Sequence, residues 1–478
     1  MVVPHFDLAI TGAGIAGLNA LFVAAQYLPK GARVALIDRH DRPGGMWTEA
    51  YAYVRLHQPY AIFTAGDLKW RPPHAPGYLA RGDEVQAHMA DCLTRLRGHF
   101  ELTEYFGRSV DRLDEDGDGA RLVLDGGEVL TATRAIHAPG FDVQPVAPLA
   151  FSSAAVTSTT PERLGAEDDP SHPVVVVGGG KTGMDTVQRL AAVNPGRTIR
   201  LVNGRGTLFL NRTKLFPRGA ARWFRAPLQM TAIRDCALRF DGTNEDAAFD
   251  YFRQTYTISP TGGGEQFLLG ILSEEECAAL SDAITETIPG YLDDVADTPE
   301  GPVMRMRDGN AHPVAPGTVF VNCTGHLLKT AGEARPLLSG NGAILTVTPQ
   351  APVHFLSSLS SYFSSHLFFL GKLAETPLWT LDMPELIKHG RKAWYLALLN
   401  HGFLNTMLLA DALPIKALNQ CGLDPDRWFP LPRRLASALH VMRHKTAYVA
   451  QCKATLTTVR DRFGVDCGPH RDGTEISA

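Results

Sequence analysis

Paired cysteines are missing from this 478-residue sequence, although seven cysteines are present. Their number is odd and no two are spaced as C-x-x-C, so neither a disulfide framework nor a zinc knuckle is indicated. Reduced thiols, as in a cytosolic protein, are therefore expected. No H-E-x-x-H helix, pair of carboxylates or Ser/His/Asp arrangement stands out, and the sequence predicts no metal site.

The sequence also lacks a strong excess of one charge, since it has 46 Lys and Arg residues and 50 Asp and Glu residues. Because there is no basic excess, a nucleic-acid partner is not expected. The longest late apolar stretch, residues 394–413, contains Asn400, His401, Asn405 and Asp411, which make it a poor membrane span. The apolar start has no basic segment and is broken by glycines, so it indicates strand, turn and helix rather than a signal peptide. These observations favour a cytoplasmic protein without an integral membrane span.

The length exceeds what one hydrophobic core usually supports, so two or three domains are expected. One pattern occurs twice: a short apolar strand, a glycine turn, a helix and a second strand. It occupies residues 6–10, 15–27 and 33–37, and again residues 174–177, 184–193 and 198–202. Two such units in one chain indicate an α/β protein with two Rossmann-like dinucleotide-binding domains.

The first glycine turn fits G-x-G-x-x-G with Gly12, Gly14 and Gly17, after a strand and at the start of a helix. In this pattern the first glycine permits a tight turn, the second lets a pyrophosphate approach the backbone, and the third lets helix and strand pack closely. The helix N-terminus attracts the phosphates. Asp38 ends the second strand, where an acid accepts hydrogen bonds from ribose hydroxyls.

The second turn contains Gly178, Gly180 and Gly183 in the same setting. No acid follows its second strand, and Arg205 is found there instead. A carboxylate would repel a 2′-phosphate, whereas an arginine pairs with it. Arg205, together with Lys181, therefore favours NADPH over NADH, although a solvated loop residue is an alternative interpretation of Arg205.

The segment Gly44-Gly45-Met46-Trp47 resembles the G-G-x-W segment of flavin-containing and Baeyer–Villiger monooxygenases. The resemblance implies that Gly45 and Trp47 run beside the ribityl and pyrophosphate of FAD. It extends through residues 54–59, which are similar to the stretch near the isoalloxazine. Those relatives more often carry Glu where this chain has Asp38.

Two glycine turns of this kind, with the G-G-x-W segment after the first, resemble the flavoprotein architecture in which an NADPH domain is inserted into an FAD domain. The resemblance places an acid near the cofactor at Asp185, and A-T-G-like strand ends at 138–140 and 323–325. The segment 368–371 resembles a late F-F-x-G segment that returns to the flavin, which assigns Gly371 to the cofactor site.

The implied domain division has four parts. Residues 1–158 begin the FAD domain, 159–330 form the NAD(P)H domain with an insertion at about 205–299, 331–383 return to the FAD domain, and 384–478 form a mainly helical region. The insertion has irregular periodicity and is interpreted as shaping a pocket. Its aromatic residues and the apolar residues of the late helix either line a lipophilic access channel or form ordinary core.

Flavin disulfide reductases carry a C-x-x-x-x-C pair just after the G-G of the first domain, and this chain has none. Electrons must therefore leave through the flavin, to oxygen or to a substrate at its face. The monooxygenase linker signature F-x-G-x-x-x-H-S is matched by Phe151 and Ser158, but Ser153 replaces Gly and Thr157 replaces His. The two departures place Baeyer–Villiger chemistry in doubt.

His57 and Gln58 are the candidate catalytic residues at the flavin face, because a histidine there can donate to a bound oxygen species or hold NADP⁺. A buried histidine satisfied by backbone is the alternative. The sequence predicts an FAD-dependent, NADPH-consuming monooxygenase that uses dioxygen to add one oxygen at N, S or C of a small or medium apolar substrate. An NAD(P)H-dependent flavin dehydrogenase or oxidase, and a non-catalytic flavin-binding redox sensor, are the alternatives; no oligomeric state is predicted.

Overall fold

The computed structural model describes residues 3–140, 146–164, 169–325, 336–347, 353–354 and 356–470. Two separate sheets dominate it, the first mainly parallel and the second wholly parallel, each with its own glycine turn, and helices form most of its C-terminal part. The predicted fold class is confirmed. The predicted boundary between residues 330 and 331 lies outside the described residues.

The first sheet is built mainly from the N-terminal part of the chain. Its elements up to residue 140 are β1 (His5–Thr11), α1 (Ile15–Ala24), β2 (Arg33–Asp38), α2 (Gly82–Arg97), β3 (Glu101–Phe106), β4 (Val110–Asp116), β5 (Gly119–Leu124) and β6 (Val129–His137). The strand order is β3-β2-β1-β6-β5-β4, in which β3, β2, β1 and β6 are parallel and the β6-β5-β4 pairings are antiparallel. Residues 8–11 of β1 and 34–38 of β2 are all buried, as expected for parallel strands in the middle of a sheet that is covered on both faces.

The second sheet follows the same principle with shorter strands. The elements from residue 146 to 325 are β7 (Thr157–Thr159), β8 (Val174–Val177), α3 (Lys181–Val193), β9 (Ile199–Val202), β10 (Thr207–Asn211), α4 (Arg212–Leu215), α5 (Ala220–Phe224), α6 (Gln229–Arg239), α7 (Glu245–Tyr256), β11 (Thr257–Ile258), β12 (Gln266–Leu272), α8 (Glu274–Ala283), β13 (Glu286–Ile288), β14 (Leu292–Thr298), β15 (Gly301–Met306), β16 (Ala311–Pro313) and β17 (Val319–Asn322). The order β13-β9-β8-β17-β7 is parallel throughout. All four valines of β8 are buried, as expected for a strand covered on both faces.

The stretch 205–299 has more regular structure than its sequence suggests. It contains a three-stranded sheet of β10, β11 and β12 and five helices, and its strand β13 belongs to the second parallel sheet. Short elements explain the irregular periodicity, because α4 and α5 are too short to show a helical repeat. The predicted boundary at residue 158 falls inside β7, which pairs with β17.

The remaining elements return to the first sheet and then form a helical cluster. They are β18 (Ile344–Thr346), α9 (Ser357–Phe369), β19 (Trp379–Leu381), α10 (Met383–His389), α11 (Arg391–Ala412), α12 (Ile415–Asn419), α13 (Leu431–Phe463) and β20 (Cys467–Pro469). Strand β18 pairs in parallel with the end of β6. Helix α9 packs along α1, so α1 is buried between sheet and helix and is apolar on nearly all sides.

Helix α11 is a core helix, which decides between the two interpretations of its apolar residues. It packs against α6, α7, α10 and α13. Its polar residues are used inside the core: the Asn405 Nδ2 donates to the carbonyls of Val353 at 2.7 Å and Trp379 at 2.9 Å, and the His401 Nε2 lies 2.8 Å from the same Trp379 oxygen. Across the described ranges, we find no helix with the length and apolar character needed to cross a membrane. The cytoplasmic location stays a prediction.

Candidate dinucleotide-binding sites

The first glycine turn joins the end of β1 to α1. Gly12 has φ +99°, and a Cβ on it would lie 2.2 Å from the carbonyl oxygen of Ala138. A Cβ on Gly17 would lie 1.7 Å from the carbonyl oxygen of Gly12, so these two positions exclude any side chain. Gly14 faces Gly45, whose Cα is 3.3 Å from the position of such a Cβ. The structure thus brings the G-x-G-x-x-G turn and the G-G-x-W segment together.

Asp38 lies buried at the end of β2, directly beneath this turn. Its Oδ2 accepts a hydrogen bond from the Ala13 backbone N at 2.5 Å, and its Oδ1 accepts from the backbone N of His40 at 2.8 Å. The His40 Nδ1 is also 2.8 Å from that oxygen, and its Nε2 is 3.0 Å from the Glu49 Oε1. The carboxylate therefore holds the glycine turn itself. Trp47 packs edge-on against Phe63, with ring centroids 5.7 Å apart.

Helix α9 runs parallel to α1 and begins beside the same turn. The Ser361 hydroxyl donates to the carbonyl of Ala16 at 2.8 Å, and at the far end the Tyr27 hydroxyl lies 2.8 Å from the His366 Nδ1. Gly371 follows the C-terminal end of α9, about 20 Å along the helix from its start. The structure does not bring Gly371 to the first turn. The start of α9 is there instead.

His354, shortly before the start of α9, is a buried histidine that the sequence analysis did not single out. Its side chain is buried, and its Nδ1 accepts from the backbone N of Leu356 at 3.1 Å. Burial, with a contribution from His401, lowers the pKa of His354 to about 3, so its ring is neutral. No local motif surrounds this histidine. The charge of His401 acts on it, and Asn405 bonds the carbonyl of the preceding Val353, so His354 lies beside α11.

The second glycine turn repeats the geometry of the first. Gly178 has φ +115°, and a Cβ on it would lie 2.7 Å from the carbonyl oxygen of Cys323. A Cβ on Gly183 would lie 2.0 Å from the carbonyl oxygen of Gly178. At Gly180 the nearest atom to such a Cβ is the Leu268 Cδ1 at 3.8 Å, an ordinary contact distance. The middle glycine therefore borders open space at the start of α3.

Side chains of the first part of the chain reach the start of α3. Lys181 and Asp185 form an ion pair on this helix, and the Tyr51 hydroxyl donates to the Asp185 Oδ2 at 2.7 Å. The Tyr53 hydroxyl is 3.0 Å from the Thr186 Oγ1. Burial, followed by the charge of Asp185, raises the pKa of Tyr51, so its hydroxyl keeps its proton. The two dinucleotide-binding halves therefore meet at this helix.

His57 also lies at this junction. Its backbone carbonyl accepts from the Arg212 Nη1 at 3.0 Å. Burial first, and then the positive charges of Lys181 and Arg212, lower the pKa of the His57 imidazole to about 3. The neighbouring Gln58 has a buried Oε1 without a hydrogen-bond partner in the part of the chain that the structure describes. His57 is thus a neutral ring beside the second turn, and Gln58 offers an unused acceptor.

A cavity of about 310 Å³ opens where β9 and β13 end. Its lining comprises Asn203, Gly204, Arg205, Gly206, Thr261, Gly263, Gly264, Glu265, Thr287 and Pro289. Arg205 is exposed and makes no ion pair within the described ranges. The buried Asn203 Oδ1 has no hydrogen-bond partner there either, while its Nδ2 donates to the Thr261 Oγ1 at 2.9 Å. A cation and a free acceptor therefore border this cavity.

The segment that matches the linker signature belongs to the second sheet. Thr157 is paired with Val319 of β17, and Phe151 packs edge-on against Phe320, with ring centroids 4.8 Å apart. The Ser153 hydroxyl donates to the Asp297 Oδ1 at 2.5 Å. Ser153, in the place of the signature glycine, thus ties this segment to β14.

Comparison with known proteins agrees with this arrangement. Residues 6–230 match the model of the family described as pyridine nucleotide-disulphide oxidoreductase. An uncharacterized protein of Mycobacterium tuberculosis is 28% identical over 348 residues, which are 66% of this chain and 60% of that protein. The chain therefore spans about 60% of the length of this relative. The putative FAD-containing monooxygenase MymA of the same species is 29% identical over 208 residues, 40% of each chain.

Solved structures resemble the chain over more of its length. The open crystal structure of cyclohexanone monooxygenase superposes with a TM-score of 0.54 at 13% identity and covers 86% of this chain and 98% of that one. The closed structure gives a TM-score of 0.50 at 14% identity with the same coverage. The chain therefore has the fold of the two-dinucleotide-binding flavoproteins. The resemblance to the flavin-containing and Baeyer–Villiger monooxygenases, expected from the sequence, is thus confirmed at the level of the fold.

Proposed function

We propose that this chain is an FAD-dependent, NADPH-consuming monooxygenase that adds one oxygen atom at N, S or C of a small or medium apolar substrate. The observation that carries the proposal is the pair of glycine turns on separate parallel sheets, joined by Tyr51 and His57 at the start of α3. Such a junction lets one nucleotide exchange electrons with the other. The domain division given by the sequence is part of the proposal.

The two turns fit different nucleotides. The first offers a helix N-terminus at Gly14 and an acid at Asp38, which suit the pyrophosphate and ribose of FAD. The second leaves space at Gly180 for a pyrophosphate. Beyond it, the unpaired Arg205 and the Asn203 Oδ1 border the cavity, and they suit the 2′-phosphate and the hydroxyls of NADPH.

Bound FAD would accept a hydride from NADPH and pass the electrons to dioxygen. The protein's own part is positioning and exclusion of water. His57 is neutral because of burial and its cationic neighbours, so it serves as a hydrogen-bonding group and not as a proton store. Gln58 holds an unused acceptor beside it. The ion pair of Lys181 and Asp185 fixes the start of α3, and the Tyr51 hydroxyl, from the FAD-binding part of the chain, donates a hydrogen bond to Asp185.

The test mixes the FAD-loaded protein with NADPH without oxygen and then admits oxygen in a stopped-flow spectrometer. Bleaching by NADPH, followed by a spectrum that differs from both oxidised and reduced flavin, supports a monooxygenase and justifies a screen of apolar amines, sulfides and ketones. Bleaching followed by direct reoxidation with stoichiometric hydrogen peroxide supports a dehydrogenase or oxidase. Absence of bleaching at saturating NADPH contradicts both enzymes and favours a redox sensor.

The dehydrogenase or oxidase has one specific observation in its favour. Ser153 and Thr157 replace the glycine and histidine of the linker signature. Ser153 is bonded to Asp297 and Thr157 is paired within the second sheet. The test is a Thr157→His variant, in which the hydrogen peroxide released per NADPH consumed is measured. If the segment contributes nothing to oxygen insertion, this ratio stays unchanged. If the protein is a monooxygenase in which Thr157 impairs oxygen insertion, the ratio falls in the variant.

A further inference from the structure

Helix α13 exposes an apolar face that the dinucleotide sites do not use. Its four members follow one another at spacings of four, four and three residues, which puts them on one side of the helix over about 17 Å. Two aromatic residues of α5 are exposed beside them. The α13 apolar face, with every member more than half exposed, consists of Trp223, Phe224, Leu431, Leu435, Leu439 and Met442.

The aromatic residues and the helix are fixed to each other. The Arg433 guanidinium on the first turn of α13 donates to the carbonyl of Arg222 at 3.0 Å and to that of Ala226 at 2.6 Å. These two carbonyls flank the exposed aromatic pair in the chain. Arg222 in turn bonds to the carbonyl of Trp428 and stacks on its ring at 5.3 Å. Helix α5, with its two exposed aromatic residues, is therefore held against the start of α13.

The two stretches of sequence that carry this face contain basic but no acidic residues. No Asp or Glu occurs from residue 427 to 460, and none from 186 to 234. The Lys and Arg residues of the first stretch are Arg427, Arg433, Arg434, Arg443, Lys445, Lys453 and Arg460. Some are neutralised, since Arg434 pairs with Asp424 at 3.5 Å and Lys445 with Asp411. Arg225 and Arg443 are exposed, and neither has an ion-pair partner among the residues that the structure describes.

Exposed Leu and Met on one side of a helix, with an exposed Arg on the same helix and exposed Trp and Phe on a helix held against its start, is typical of helices that lie in a membrane interface, where the apolar side enters the headgroup boundary and the cations contact anionic lipid. A second copy of the chain fits this face less well, because face-to-face packing would bring two sets of unpaired arginines together. We propose that the α13 apolar face docks the protein on an anionic lipid surface. The proposal is independent of the chemistry at the flavin.

The test uses the full chain with FAD and sedimentation with two kinds of vesicle, phosphatidylcholine alone and phosphatidylcholine mixed with phosphatidylglycerol. We expect binding to the mixed vesicles and a loss of binding in high salt, which screens the arginines. Leu435→Ser with Leu439→Ser should weaken binding at least about 100-fold, because two inserted side chains become polar. Arg443→Gln should weaken it about fivefold, as expected for one cation near an anionic surface.

Val193→Ser is the matched control, because Val193 is also about half exposed but lies on α3. It should bind as the unchanged protein does. Trp223 gives a second readout, since of the six tryptophans it alone is more than half exposed: Trp70, Trp379, Trp394 and Trp428 are buried, and Trp47 is half-buried in the first dinucleotide site. The emission of Trp223 should shift to shorter wavelength with mixed vesicles, and Trp223→Phe should lose the shift while still sedimenting.

Three outcomes would overturn the proposal. The first is no sedimentation with mixed vesicles at low salt by a protein that is folded and binds FAD. The second is equal binding by the double serine variant, with the melting temperature unchanged. The third is that the unchanged protein is a dimer in solution and does not bind vesicles, whereas the double serine variant is a monomer. That result would assign the face to a second copy of the chain.

Discussion

Replacing Gly180 with alanine separates nucleotide binding from folding, because the protein itself leaves room for the added methyl group. Its nearest neighbour would be the Leu268 Cδ1 at 3.8 Å. The backbone at Gly180 has φ −74°, which alanine adopts without strain. The methyl group would instead occupy the space through which a pyrophosphate reaches the backbone N–H groups at the start of α3.

The expected loss follows from the hydrogen bonds at stake. A hydrogen bond to a charged group is worth about 1.5–3 kcal/mol, so displacing the pyrophosphate from one N–H should raise the Kd for NADPH about 10- to 100-fold. Stability should stay within about 0.5 kcal/mol of the unchanged protein, because nothing in the core moves. FAD content should not change, since the first turn is untouched.

Gly183→Ala is the matched control, because it should lower the melting temperature, whereas Gly180→Ala should not. Its Cβ would lie 2.0 Å from the carbonyl oxygen of Gly178, so α3 would have to move away from the turn. That variant should melt several degrees lower. The assay is calorimetric titration with NADP⁺ beside a thermal melt. Unchanged affinity in Gly180→Ala would show that the nucleotide does not bind at this turn, and a lowered melting temperature would refute the packing argument.

Three further predictions concern charge and protonation. Arg205→Gln should raise the Kd for NADPH about 30-fold and leave that for NADH unchanged, because only the 2′-phosphate loses its cation; an equal effect on both nucleotides would contradict this role. His57, with a pKa of about 3, should give no limb between pH 5 and pH 8 in the profile of kcat/KM; a limb near pH 6.5 that His57→Gln abolishes would refute the neutral ring. The pKa values of His354 and His401, lowered by burial to about 3 and about 4, imply acid lability. Above pH 6.5 both rings are neutral in either state, whereas below it only the unfolded chain gains the protons, so stability should fall by about 1.4 kcal/mol per histidine per pH unit down to pH 4. The raised pKa of Asp426, about 7, acts in the opposite direction, and thermal melts at several pH values of the unchanged protein and of Asp426→Asn separate the contributions.

The glycine turns could be found from the sequence because every part of the motif is local. At Gly12, Gly17, Gly178 and Gly183 a side chain would collide with a backbone carbonyl oxygen. That oxygen belongs to the same turn at Gly17 and Gly183, and to the end of the adjacent strand at Gly12 and Gly178. The strand, helix and second strand around each turn follow from apolar runs that the structure buries. The fold class therefore follows from short-range patterns alone.

The parts that escaped prediction depend on long-range packing. The direction of α9 is set by Ser361 meeting Ala16 and by His366 meeting Tyr27, contacts between residues more than 300 positions apart. Gly371 lies at the opposite end of α9 from the first turn, and its assignment to the cofactor site stays a prediction. The role of Asp38 was only partly visible, because its bonds to Ala13 and His40 depend on the turn's exact shape.

The first sheet is completed by a strand that arrives late, and this has a consequence for synthesis. Strand β18 pairs with β6 through Ile344 and Ala135, so about 200 residues must be translated between the two partners. The second sheet lies wholly between Thr157 and Asn322 and has all its strands before β18 leaves the ribosome. Helix α9, which covers α1, comes later still. During synthesis, all strands of the second sheet are therefore present before the first sheet receives β18, and α1 has no covering helix until α9 follows.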